Sequence, residues 1–217
     1  MSNSLEEDLK QQLDKFNATS SEEKKATYAR AFKLIEDSGI IDNAKNVGDK
    51  APDFTLNDQL GKPVNLFQKL KEGPIVLMWY RGGWCPYCNI TLHHMKAHLS
   101  DFQKYGASLV ALTPELPDQS LNTIEKHQLK FTVLSDIGND AARKYGVVFK
   151  LMKEIADIYQ NSFGLHEVNG DKSEELPLAV TYVIDHEGII RYAFLHHDYR
   201  VRANPEDIIE TLRKLSH

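Results

Sequence analysis

The spacing of apolar residues along this chain changes near residue 46. Before that point Leu5, Leu9, Leu13 and Phe16 recur on one helical face, and a second series, Ala26, Ala29, Phe32, Leu34 and Ile35, follows the polar stretch Thr19-Ser20-Ser21-Glu22-Glu23. Ser20 with Glu23 three residues later has the form of a capping box, and Gly39 is a natural helix stop. Residues 1–45 are therefore expected to form a two-helix N-terminal extension. Its apolar stripe needs a surface to cover, either the rest of the chain or a second subunit in a homodimer.

Beyond residue 46, short apolar runs, turn residues and helical patterns alternate. Residues 51–56 and 62–66 flank Asn57, Asp58 and Gly61 as the two arms of a hairpin. Residues 75–80 are apolar without interruption between Gly73-Pro74 and Arg81-Gly82-Gly83, the pattern of a buried strand bounded by breakers. Ile90, Leu92, Met95, Leu99 and Phe102 then predict a helix to about Tyr105. Strands are expected at 106–113 and 131–136, and helices at 117–128 and 139–145. Leu151, Ile155, Ile158 and Tyr159 predict an extra helix over 149–162, and 169–175 reads as a loop; this insertion is expected to cover one end of the site or to select its substrate. A hairpin of 180–185 and 189–195 about His186-Glu187-Gly188, and a helix over 205–215, close the chain. This order makes residues 46–217 an α/β domain with a mixed sheet.

The 217 residues, 41% hydrophobic and 26% charged, suffice for one good core with an appendage. The net charge of −5 argues against nucleic acid as a partner. No apolar segment is long enough to span a membrane, and the first residues are acidic where a secretion signal is basic and then apolar, so the cytoplasm is the expected address. No flavin or nicotinamide fingerprint is present, and no cofactor is expected.

The chain has two cysteines, both in Trp84-Cys85-Pro86-Tyr87-Cys88. A CxxC at a strand-to-helix turn is the setting of a redox-active pair rather than of a secreted disulfide framework. Pro86 suits the first helical position. The helix start offers Cys85 unpaired N–H groups and the positive end of a dipole, and Arg81 adds charge nearby, both of which favour a reactive thiolate. Trp84, Pro86 and Tyr87 are candidates for substrate contact. Two plainer possibilities are inert buried thiols and half of a zinc site completed by His93, His94 or His98. Against zinc, His93 follows Cys88 by five positions, where a finger needs about a dozen. The segment from His196 to Arg200 is expected to be a solvated loop.

Several segments together resemble one family. Val47-Gly-Asp-Lys-Ala-Pro-Asp-Phe-Thr-Leu56, the strand-CxxC-helix unit, the run from Gly106 to Glu115, Leu134-Ser-Asp136 with Ala142-Arg-Lys-Tyr-Gly-Val147, and Thr181-Tyr-Val-Ile-Asp-His-Glu-Gly188 are similar to the alkyl hydroperoxide reductase/thiol-specific antioxidant family, the peroxiredoxins. The resemblance covers roughly residues 47–215 by these segments. It implies a thioredoxin-like fold with a mixed central sheet flanked by helices. It also implies a thiol peroxidase acting on hydroperoxides and reset by a thioredoxin- or glutathione-type donor.

The chain departs from the family pattern at two places. Peroxiredoxins resemble P-x-x-x-[TS]-x-x-C around the attacking cysteine; aligned on Cys88, Arg81 stands in the proline place and Cys85 in the threonine place. Six residues before Asp185, where the family carries an arginine, there is Ala179, with Pro177 two residues earlier. Arg81 is the nearest substitute for that arginine, and Arg143 a weaker one. Which sulfur attacks stays open: Cys85 in a thioredoxin-like disulfide oxidoreductase, Cys88 in a peroxidase with Cys85 resolving. A non-catalytic redox sensor is the remaining alternative.

Overall fold

Residues 75–79 are apolar at every position because the strand they form has a core on each face. A computed structural model describes residues 3–216. The chain opens with α1 (Leu5–Thr19), α2 (Glu22–Asp37) and a single turn, α3 (Ile40–Asn43). The hairpin β1 (Thr55–Asp58) and β2 (Pro63–Asn65) follows, then α4 (Leu66–Leu70), β3 (Ile75–Trp79), α5 (Pro86–Ala97), α6 (Leu99–Lys104), β4 (Ser108–Thr113), α7 (Pro117–His127) and β5 (Thr132–Ser135). After α8 (Asp140–Lys144) come β6 (Val148–Lys150), α9 (Lys153–Phe163), α10 (Leu165–Asn169) and β7 (Glu175–Pro177). The fold ends with β8 (Thr181–Ile184), β9 (Ile190–Phe194) and α11 (Pro205–Leu215). Among the described residues no helix is long and apolar enough to cross a membrane.

The main sheet runs β2-β1-β5-β4-β3-β8-β9. Its centre is parallel, β3 beside β4 and β4 beside β5, and β8 pairs antiparallel with β3, so the sheet is mixed. Helical crossovers join the parallel strands, as parallel pairing requires. Alternate residues of β3 face opposite ways: Ile75, Leu77 and Trp79 join Leu112, Tyr145 and Tyr182 in one core, while Val76, Met78 and Tyr80 join Leu92, Met95, Phe102 and Ile208 in the other. The second core holds both cysteines, which fixes the start of α5 against the sheet.

The N-terminal helices pack on the chain's own body. Leu5 of α1 is buried, and Asp8 pairs with His94 of α5 at 2.8 Å. Tyr28 and Ala31 of α2 lie against the cluster of Leu151, Ile155 and Tyr159 around α9.

Several local expectations shift. The capping box belongs to α1, through Ser4 and Glu7; Ser20 has its N–H committed to the Phe16 carbonyl at the end of α1, and Ser21 caps α2 instead. Ala26, Ala29 and Leu34 face solvent, and the buried stripe of α2 is Thr27, Phe32 and Ile35. The first strand starts at Thr55, although Ala51 and Phe54 are buried ahead of it. The helix after the CxxC breaks at His98, whose backbone leaves helical geometry. Phe149 lies on β6, paired with Leu176 of β7, so the extra helix begins only at Lys153.

Candidate active site

The end of β3 and a glycine turn deliver the thiols. Gly82 and Gly83 lead from Arg81 into α5, and neither tolerates a side chain: a Cβ on Gly82 would lie 2.2 Å from Trp84 Nε1, and one on Gly83 2.0 Å from Thr123 Oγ1. Cys85 is the N-cap of α5, Pro86 opens the helix, and Cys88 lies one turn in. Both thiols are free and buried.

Three donors converge on Cys88. The Arg81 backbone N–H lies 3.4 Å from its Sγ and Arg202 Nη2 lies 3.3 Å away, while the Cys85 thiol donates the third bond. Burial pushes the Cys88 thiol up, but these bonds and the Arg202 and Arg81 charges outweigh it and hold the group well below the usual thiol range. Cys85 moves the other way, because burial and the proton it shares with Cys88 both raise it. The helix start therefore does not make Cys85 the thiolate: its own thiol is spent stabilising Cys88.

Arg81 is not a surface charge, being only 2% exposed. Its Nη2 donates to Tyr159 Oη at 2.7 Å, and its guanidinium lies 3.8 Å from the Tyr199 ring centre and 4.9 Å from that of Trp84. Arg143 is elsewhere, paired with Glu175 at 2.5 Å. Ala179 is buried without polar function, and Pro177 lies on β7 opposite Val148, with no cis peptide bond among the described residues. The second arginine at the sulfur is Arg202, which the sequence does not flag. Its signal is the Asp198-Tyr199-Arg200 stretch just before it: this is no solvated loop but the cover of the site, with Arg200 clamped on Asp198 at 2.6 Å and Tyr199 under Arg81.

Of the aromatic candidates, Trp84 stacks on Phe163 with ring centres 4.4 Å apart, and Tyr87 meets Tyr199 edge-on at 5.7 Å; Pro86 is exposed. The histidines are engaged apart from the thiols, His94 with Asp8 and His98 with Asp101. Among the described residues no group of three His, Cys, Asp or Glu side chains is placed to hold a metal. Glu115, also unforeseen, is buried at the end of β4, where both carboxylate oxygens accept the Gly83 N–H at 3.0 Å. Burial raises its carboxyl to about 7 despite that bond.

The model of the AhpC/TSA family matches residues 47–193. The chain belongs to that family. It is 32% identical over 178 residues to the chloroplastic peroxiredoxin Q of Arabidopsis thaliana, covering 82% of this chain and 70% of that protein. Its identity to the peroxiredoxin Q of Triticum aestivum is 29% over 157 residues, 72% of this chain and 62% of that protein. The structure of peroxidoxin BcpB from Mycobacterium tuberculosis has the same fold, with a TM-score of 0.62 at 23% identity over 78% of this chain and 97% of that one. For a chain of the AhpC/TSA family, the arrangement at the sulfur is built partly from outside the matched stretch: Arg202, which touches Cys88, follows it.

Proposed function

We propose that this chain is a thiol-dependent peroxidase in which Cys88 attacks and Cys85 resolves. The observation that carries the proposal is the convergence of two arginines and the Cys85 thiol on the Cys88 sulfur. The Cys88 thiolate attacks one peroxide oxygen; an S–O bond forms, the O–O bond breaks, and the other oxygen leaves as alkoxide or hydroxide and takes up a proton. The Arg202 guanidinium and the Arg81 backbone N–H, which already meet the sulfur, are set to stabilise the negative charge that moves to the leaving oxygen as the bond breaks, with the buried Arg81 side chain adding positive charge nearby. The resulting sulfenic acid condenses with the Cys85 thiol, releasing water and leaving a Cys85–Cys88 disulfide. Two thiols of an external donor, of thioredoxin or glutathione type, then reduce the disulfide by exchange and are themselves oxidised.

A disulfide oxidoreductase led by Cys85 fits less well, since the bond that thiol makes to Cys88 opposes its ionisation while the same bond and the arginines favour that of Cys88. The need for a steady supply of reduced thiol favours a reducing compartment such as the cytoplasm. The N-terminal helices serve first as part of the site's surroundings rather than as a dimer contact, because Leu5, Phe32 and Ile35 are already buried in the chain itself.

Peroxide consumption with a thioredoxin donor tests the assignment. Cys88→Ser is expected to abolish it. Cys85→Ser is expected to retain a single turnover that stops at sulfenic acid on Cys88, detected with a dimedone-type trap. Turnover that survives in Cys88→Ser and is lost in Cys85→Ser sinks the proposal.

A further inference from the structure

The turn that leads to the thiols is held by a carboxyl group that the peroxide chemistry above leaves unused. Arg81-Gly82-Gly83 presents one backbone N–H, that of Arg81, to the Cys88 sulfur at 3.4 Å, and another, that of Gly83, to both oxygens of Glu115 at 3.0 Å. Asn89, next to Cys88 on α5, donates to the Gly83 carbonyl at 2.8 Å, so the sulfur and the carboxyl group are fastened to one short stretch of chain. Glu115 is only 3% exposed, and its second donor, the Thr113 hydroxyl at 3.4 Å, is neutral like the first. The titratable groups that face it are Cys88 from α5 and Tyr80 from the end of β3. Burial keeps the Tyr80 phenol far above its ordinary range and so uncharged. Burial also pushes the Glu115 carboxyl up to about 7, with the Gly83 bond opposing and the Cys88 charge assisting. Two anions kept from water in one interior oppose each other, so the charge on the sulfur and the charge on the carboxylate are linked.

We propose that Glu115 stores the proton of the thiol cycle: it is protonated while Cys88 is a thiolate and ionised once Cys88 is tied to Cys85, so the site keeps one buried negative charge in either state. The proposal rests on the peroxidase reading above for the course of the oxidation. The reduced site holds the Cys88 thiolate, the Cys85 thiol and the Glu115 carboxylic acid. Attack forms the S–O bond and breaks the O–O bond, and the leaving alkoxide or hydroxide takes a proton from the solvent. Condensation of the sulfenic acid with the Cys85 thiol then releases water. With the charge gone from the sulfur, Glu115 gives up its proton and replaces the one that was taken. Reduction by two donor thiols returns one proton to Cys85 and the other to Glu115 as the Cys88 thiolate forms again. A charge that moves between two prepared places costs less than a second charge added to the same interior.

The test equilibrates the full chain and its Glu115→Gln variant with dithiothreitol and reads the equilibrium constant for reduction of the Cys85–Cys88 disulfide between about pH 6 and about pH 7. Dithiothreitol gives up two protons as it is oxidised. A site that takes up one of them, at Cys85, leaves the other in solution, and the constant then rises about tenfold over that pH unit, as expected for Glu115→Gln. Wild type takes up the second proton at Glu115, and its rise is expected to be at least about threefold smaller than that of the variant. A smaller difference between the two, whether both are steep or both flat, overturns the proposal. If the variant does not fold, infrared difference spectra of wild type at about pH 6.5 decide it, where an ordinary glutamate is ionised in both states. Loss of a protonated-carboxyl C=O band as dithiol becomes disulfide upholds the proposal, and no such loss overturns it. Neither measurement uses peroxide, so a wild type that consumes none sinks the peroxidase reading separately.

Discussion

A thiolate buried away from water survives only where its neighbours supply the charge and donors that water would have given. At Cys88 those neighbours are Arg202, Arg81 and Cys85. Replacing Arg202 by Met removes one full charge and one 3.3 Å bond, and the thiol is expected to ionise about one to two pH units higher. The pH profile of iodoacetamide alkylation at Cys88, located by mass spectrometry, reads this directly; an unmoved midpoint would remove Arg202 from the site. Glu115 carries the opposite burden. Its carboxyl is raised to about 7 by burial, so the unfolded chain gives up this proton first as pH rises. Its contribution to stability therefore falls between about pH 4.5 and pH 7 and stays low above that, by at most about 3 kcal/mol. Glu115→Gln, which keeps an acceptor for the Gly83 N–H, is expected to match wild type near pH 4 and to exceed it at pH 8 in urea denaturation. A difference that does not change with pH contradicts the shift.

At the scale of elements, the position of the thiols depends on the join between β3 and α5. Strand β3 is held on both sides by β4 and β8, and α5 is pinned by Leu92 and Met95 in the second core. The short link between them is sterically closed, with Thr123 of α7 on Gly83 and Trp84 folded back on Gly82. Gly83→Ala is expected to push the turn off α7, costing about 1 to 3 kcal/mol as an overpacked site and lowering peroxidase activity more than stability alone explains. Parallel thermal unfolding and turnover measurements check this; a stable, fully active variant shows that the turn does not need its closeness. On the opposite side, the segment from Asp198 to Arg202 and helices α2 and α9 form the cover. Phe32 of α2 meets Tyr199 at 5.4 Å and lies under the Arg200 guanidinium at 4.3 Å, so the extension is tied to the residues that touch Arg81.

For the molecule as a whole, the proposed pairing of Cys85 with Cys88 stays within one turn of one helix. Treated with one equivalent of hydroperoxide, the chain is expected to lose two hydrogens, about 2 Da, and to remain a single chain on a non-reducing gel. A covalent dimer would contradict resolution within the CxxC. Much of this architecture was legible in the sequence because its signals are local. The apolar run at 75–80, the glycines after it, Pro86 at the helix start and the hairpin about Gly188 each impose a conformation on their own neighbours. The same holds for the redox character of the CxxC, since no distant contact is needed to bring two cysteines of one helical turn together. The choice between the two sulfurs was not legible. In the proposed reading that choice depends on the donors that reach Cys88, above all Arg202, which lies 114 residues away, since the two thiols are equally buried; such a contact leaves no periodic trace in the chain. The strand at Phe149 was hidden for a similar reason, since it exists only by pairing with Leu176. The sequence by itself determined the strand, the turn and the thiol pair. Only the tertiary structure decided which thiol ionises the more readily and what surrounds it, because electrostatics and burial are set by residues that folding, not chain order, makes neighbours.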